Sequence, residues 1–148
     1  MIVAFDADVI IYSAEAGSPL GVPVANLLGR LDAAPDSEAI GSVLLLPEVL
    51  AKPMRLDPES VETDRLARSL SRVTLCPVSL DLAKHAQALA ARYSLRAADA
   101  VHLATAVMAG ADAFITNNRK DFPKTIAEVA IWYPEDLPEP GHLLGQTA

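Results

Sequence analysis

One cysteine, Cys76, occurs among 148 residues, so no intramolecular disulfide exists and a disulfide scaffold is excluded. Glycine is scarce, with 7 residues, which excludes collagen-like and glycine-rich low-complexity architectures. No uncharged apolar run approaches the roughly 18 residues of a membrane span. Asp6 and Asp8 interrupt the N-terminus before the apolar core of a signal peptide could form. A soluble protein of the reducing cytoplasm, with no membrane partner, is therefore expected. The chain also lacks the nucleotide patterns GxxxxGK(S/T) and GxGxxG, the Gly-x-Ser-x-Gly elbow, and any Cys/His cluster of the kind that binds zinc.

Base is in deficit as well. The net charge is −7 and the pI about 4.8, which argues against a polyanion partner. The distribution moderates this. Residues 57–64 carry four acids and no base, and residues 134–148 carry Glu135, Asp136 and Glu139 and no base; elsewhere 12 bases face 12 acids. What the chain has in abundance is apolar side chain, at 51% of residues with a mean hydropathy of +0.27. A single domain of this size buries enough of it to fold without a disulfide or structural metal. We assign residues 1–133 to that domain and 134–148 to an acidic, Pro-rich C-terminal tail.

Short apolar runs alternate with helical periodicity. IVAF, SVLLL at 42–46, VTLCPV at 73–78, AFIT at 113–116 and VAIWY at 129–133 read as strands. Helices are predicted from about Val9, over 24–33, from Glu48 until Pro53 breaks the pattern, over 59–72 with Val61, Leu66 and Leu70 inward, from an Ser79 N-cap to Tyr93, and over 97–109 with Gly110 as the stop. Strands alternating with helices predict a three-layer α/β/α sandwich around a mainly parallel sheet of about five strands.

In such a sheet the ligand site lies beyond the carboxyl ends of the strands. Asp6 and Asp8 follow the first strand, Glu48 the second, and Asn117, Asn118 and Asp121 the fourth, while Asp99 sits in the first turn of the Ala-rich helix. Carboxylates crowded on one rim repel one another unless a cation compensates. A hard divalent ion, Mg²⁺ or Mn²⁺, suits oxygen ligands and is able to activate water against a phosphodiester. Each residue also has a purely structural reading: Asp8 as a helix cap, Glu48 as a first-turn acid favoured by the helix dipole, Asp121 as a turn residue. Thr116 and Asn117 suit loop ordering through backbone hydrogen bonds. His102, three residues after Asp99, reads as a core or partner-paired histidine ahead of a ligand. Arg92, Arg96, Arg119, Lys120 and Lys124 flank these motifs, either to hold phosphates or as a solvated edge.

FDADVIIYS at 5–13, LLLPEVL at 44–50 and AADAVHLATAVMAGADAFITNNRKDF at 97–122 resemble, in order, the motifs of PIN domains, especially the VapC-type toxin ribonucleases. The resemblance spans residues 2–132. It implies a Mg²⁺- or Mn²⁺-dependent ribonuclease acting on single-stranded or structured RNA, with an acidic pocket of Asp6, Glu48 and Asp99. The fourth corner comes from the 116–121 loop, as a metal ligand at Asn118, where the family often has an acid, or as a catalytic acid at Asp121. Asp8 stands where Asn is common and, with Thr116 and Asn117, supports the pocket. The resemblance further implies a small antitoxin protein as partner and a homodimer. Two rivals are a PIN-like module that binds RNA or protein without cutting, suggested by Asn118, and a haloacid-dehalogenase-type phosphatase, suggested by FDAD and ITNN. The second is disfavoured because only 32 residues follow Thr116 and Asp99 has no role in it.

Overall fold

The opening run Ile2–Phe5 forms β1, the central strand of the sheet. The structure, a computed structural model, describes residues 1–138. β1, β2 (Glu38–Ser42), β3 (Thr74–Cys76), β4 (Ala113–Ile115) and β5 (Ile131–Trp132) lie in the order β3-β2-β1-β4-β5, and every neighbouring pair is parallel. Among the described residues, six α-helices flank the sheet: α1 (Ala7–Ala14), α2 (Gly21–Ala33), α3 (Leu45–Leu56), α4 (Val61–Ser71), α5 (Leu80–Tyr93) and α6 (Ala97–Met108). The three-layer sandwich read from the sequence is the observed fold.

Alternation along the strands divides the core in two. Val3, Phe5, Ala39, Ala113 and Ile115 join Val9, Ile10, Leu27, Leu28, Leu45 and Leu66 from α1 to α4. Ala4, Ile40, Phe114 and Ile131 join Leu82, Ala86, Leu89, Leu103 and Ala104 from α5 and α6. Covered on both faces, β1 and β4 are apolar at successive positions rather than alternating, as parallel strands require. Phe114 and Phe122 meet edge to face with centroids 5.1 Å apart, so the segment after β4 is anchored in the second core.

The helix caps follow local chemistry. Ser79 accepts from the Leu82 N–H at 3.1 Å and Ser60 from the Thr63 N–H at 3.0 Å. Gly110 takes φ +66° after α6, where a Cβ would be strained. The first helix starts at Ala7, two residues earlier than the sequence indicates, and Asp6 rather than Asp8 caps it.

Three further expectations are corrected. SVLLL is not the second strand; Glu38–Ser42 is, and the leucines belong to the turn into α3 and its start. Ser42 Oγ accepts from the Leu44 N–H at 3.1 Å and turns the chain. Pro47 then occupies the first helical turn, where no amide donor is needed and its fixed φ is helical. Pro53 does not end α3, which runs on to Leu56. Val61 is 67% exposed and Thr63 takes its inward place, held by its hydroxyl on the Asp57 carbonyl at 2.9 Å. Of the expected tail, Pro134–Asp136 form a 3-10 turn, Leu137 is buried and the Pro138 carbonyl accepts from Arg30 at 3.1 Å. Residues 139–148 lie outside the described residues.

α3 packs directly on β2 at Gly41, where an added Cβ would collide with Leu45 Cδ1 and stand 3.3 Å from Val73 Cγ1. Gly41→Ala is expected to cost about 1–3 kcal/mol through overpacking. Gly29→Ala inside α2, whose Cβ would meet only the Arg72 guanidinium at 3.8 Å, is expected to gain about 0.5–1 kcal/mol. Urea denaturation of the two variants checks both signs.

Candidate functional site

The strand order reverses direction between β1 and β4: β2 and β3 lie on one side of β1, and β4 and β5 on the other. Such a switch point opens a crevice at the carboxyl ends of the two strands. Phe5 is paired with Ile115, so Asp6 and Thr116 are the next residues of each strand. The Asp6 N–H donates to the Ile115 carbonyl at 2.9 Å, and the Thr116 N–H to the Trp132 carbonyl at 3.1 Å. Both residues are thus fixed by sheet backbone before their side chains meet.

Asp6 is 6% exposed and Thr116 is fully buried. The Thr116 hydroxyl donates to Asp6 Oδ2 at 2.8 Å, and Asp6 Oδ1 accepts from the Ala7 N–H at 2.8 Å. Thr116 Oγ1 in turn accepts from the Asn118 N–H at 3.0 Å. Burial pushes the Asp6 carboxyl above its ordinary range, opposed by His102, the Thr116 and Ala7 donors, and reinforced by Glu48. Asp8 Oδ2 accepts from the Asn117 N–H at 3.0 Å, while its Oδ1 is buried without a hydrogen-bond partner among the described residues. Burial, then Asp6, raises Asp8 from 3.8 to about 6.

The remaining acids arrive from helices and from the loop after β4. Asp99, in the first turn of α6, is raised by burial and then by Asp6 and Asp121. Glu48 projects from the first turn of α3 and its Oε2 lies 2.9 Å from His102 Nε2. In the 117–121 turn, Asn118 Nδ2 donates to Asp121 Oδ2 at 2.9 Å, and the Asp121 N–H reaches Asn118 Oδ1 at 3.3 Å. Asn118 therefore spends its side chain on orienting Asp121.

Among the described residues, Asp6, Asp8, Asp99 and Asp121 have no Lys or Arg ion pair. The donors are all oxygen, and one buried carboxylate oxygen, Asp8 Oδ1, has no hydrogen-bond partner among the described residues. That chemistry fits a hard divalent cation. As the side chains stand, no three His, Cys, Asp or Glu among the described residues form a finished ligand set.

The flanking bases are largely committed. Arg92 pairs with Glu128 at 3.0 Å, Arg119 with Glu135, and Lys124 with Asp136 at 2.7 Å. Arg119 also lies 4.4 Å from the centroid of the Tyr133 ring. Arg96 and Lys120 are exposed and have no ion pair among the described residues. The sequence reading passed over Arg65, Arg68 and Arg72, which line a groove of about 370 Å³ together with Glu15 and Ser69. Their three- and four-residue spacing on one helix was the available signal.

Residues 3–127 match the sequence profile of the PIN domain. The chain belongs to the PIN-domain family. Solved structures agree in fold. A chain of a toxin–antitoxin complex from Klebsiella pneumoniae is 25% identical, covering 89% of this chain and 97% of its own, with a TM-score of 0.63. A chain of VapBC2 from Rickettsia felis, solved on a promoter DNA fragment, is 17% identical, with coverage of 90% and 98% and a TM-score of 0.71. A chain of DNA-bound VapBC from Salmonella typhimurium is 15% identical, with coverage of 90% and 98% and a TM-score of 0.65. No curated protein sequence matches. Among the described residues of this PIN domain, no helix is long and apolar enough to cross a membrane.

Asp8 yields a test of the site's electrostatics. A folded-state value of about 6 against 3.8 means that folding is opposed once Asp8 ionises, by up to about 3 kcal/mol as pH climbs from below 4 to above 6. Asp8→Asn keeps an oxygen for the Asn117 N–H and removes the charge. In the absence of divalent cation it should stabilise the domain by roughly 1–3 kcal/mol at about pH 7.5 and by little at about pH 4. Urea denaturation at the two pH values checks this; an equal effect at both would exclude the electrostatic cause.

Proposed function

We propose that the protein is a metal-dependent ribonuclease that hydrolyses phosphodiester bonds, acting as the toxin of a toxin–antitoxin pair. The observation that carries this reading is the meeting of Asp6, Asp8, Asp99, Glu48 and Asp121 at the β1/β4 switch point without a Lys or Arg counter-ion among the described residues. The likeness to chains of toxin–antitoxin complexes supports a protein antitoxin as partner; a homodimer is part of the same proposal.

Asp6, Asp99 and Glu48 would hold Mg²⁺ or Mn²⁺, with Asp121 completing the rim from the side of the loop and Asn118 orienting it. A bound divalent cation supplies Lewis-acid polarisation of a phosphate oxygen and a lowered pKa for water. Asp6 is fixed by two donated hydrogen bonds and does not swing. It therefore serves as the positional anchor of the site. Asp99, whose pKa is raised by burial and then by its acidic neighbours, is the group suited to orient water and take its proton for in-line attack. The products would carry 5′-phosphate and 3′-hydroxyl ends. Arg96, at the N-terminus of α6, and Lys120 are the bases open to RNA phosphates.

Purified antitoxin-free protein should cut a mixed-sequence single-stranded RNA with Mn²⁺ or Mg²⁺ and lose the activity in EDTA. Asp6→Asn and Asp99→Asn should each lower the rate at least about 100-fold. Absence of cutting by the wild type, with millimolar or no affinity for Mn²⁺, would favour a binding module that does not cleave. Undiminished cutting by either variant would remove the acids from the mechanism.

A further inference from the structure

His102 lies on the inward face of α6, three residues from Asp99, and is 2% exposed. Its partner, Glu48, comes from α3, which packs on the opposite face of the sheet. The bond between them therefore passes over the strand ends and ties the two helical layers together at the acidic crevice. A carboxylate only accepts, so Nε2 is the donor. Nδ1 is buried and has no hydrogen-bond partner among the described residues. A histidine serving the core alone would have both nitrogens satisfied, whereas here one is left unpaired beside the crevice acids.

We infer that His102 is a positioning residue: its Nε2–H holds one oxygen of Glu48, leaving the other to face the crevice as a ligand. This rests on the nuclease reading above. Among the described residues no other side chain bonds the Glu48 carboxylate, which is one-third exposed and would otherwise rotate freely. An outer partner of this kind fixes the orientation of the inner group, and its loss typically weakens metal binding or activity by about 10–100-fold.

The probe is Mn²⁺ alone, titrated into full-length wild type, His102→Ala and His102→Gln, followed by RNA cleavage with kcat and KM separated. His102→Ala should bind Mn²⁺ about 10–100-fold more weakly and lose kcat with little change in KM. His102→Gln, whose amide presents an N–H near the place of Nε2, should recover most of both. In metal-free protein, a long-range proton–nitrogen spectrum of the labelled imidazole should show Nε2 protonated, and Glu48→Ala should expose that proton to exchange. Equal Mn²⁺ affinity and kcat in wild type and His102→Ala overturns the positioning role, even if the variant melts earlier. An unprotonated Nε2 in the metal-free protein overturns the bond itself, whatever the cleavage assay gives. A wild type that neither binds Mn²⁺ nor cuts RNA overturns the nuclease reading and the role with it.

Discussion

The hydrogen bond from Thr116 to Asp6 closes the gap between the two strands that define the switch point, and the site depends on it. Each partner is set by one more residue of parallel ladder beyond Phe5 and Ile115. Neither side chain is free to leave: Thr116 is wholly enclosed, and Asp6 caps α1 through the Ala7 N–H. A buried carboxylate without donors would be a severe burden. Here two donors reduce it, yet the net displacement of its pKa remains upward because burial outweighs them. The fold therefore carries an unresolved electrostatic cost at one place, and the neighbouring acids deepen it.

That cost is tolerable because the rest of the domain is well buried. Two apolar layers meet β1 and β4 from both sides, with Phe5, Phe114 and Phe122 enclosed. Burying one such side chain contributes roughly 1.5–3 kcal/mol, so a few aromatic and aliphatic residues offset what Asp8 costs at neutral pH. Charge is managed by pairing elsewhere. Glu128, Glu135 and Asp136 are matched to Arg92, Arg119 and Lys124, and the acids of the crevice are left without such matching.

Much of this was legible in the sequence, and the failures have local causes. β1, β4 and α6 were readable because buried parallel strands are uninterrupted apolar runs and because α6 is Ala-rich with a glycine stop. β2 was not, since Glu38, Gly41 and Ser42 dilute its apolar signal, while the leucines that follow imitate a strand until Pro47 is seen as a first-turn proline. Asp6 and the 117–121 loop follow the ends of β1 and β4, as read, whereas Glu48 comes from the first turn of α3, not from the end of a strand. The Thr116–Asp6 bond spans 110 residues and the His102–Glu48 bond 54, and single-sequence periodicity holds no information on contacts at such separations. Thr116 was readable only as loop ordering, and its actual partner is the first acid of the site.

The loop after β4 shows how one asparagine links two acids. Asn118 stands two residues beyond Thr116, its N–H donates to the threonine hydroxyl that bonds Asp6, and its amide holds Asp121. One residue thus connects the buried acid to the exposed end of the turn. An aspartate at 118 would place a carboxylate against Asp121, and the like charges would drive the turn open. With asparagine there, the Asp121 carboxylate instead accepts from a neutral donor. Asp121 is half-buried and closer to solvent than Asp6. The Phe122 N–H on the Asn118 carbonyl, at 3.0 Å, and the Phe122 ring packed against Phe114 hold that turn to the core, so Asp121 is presented from a rigid support.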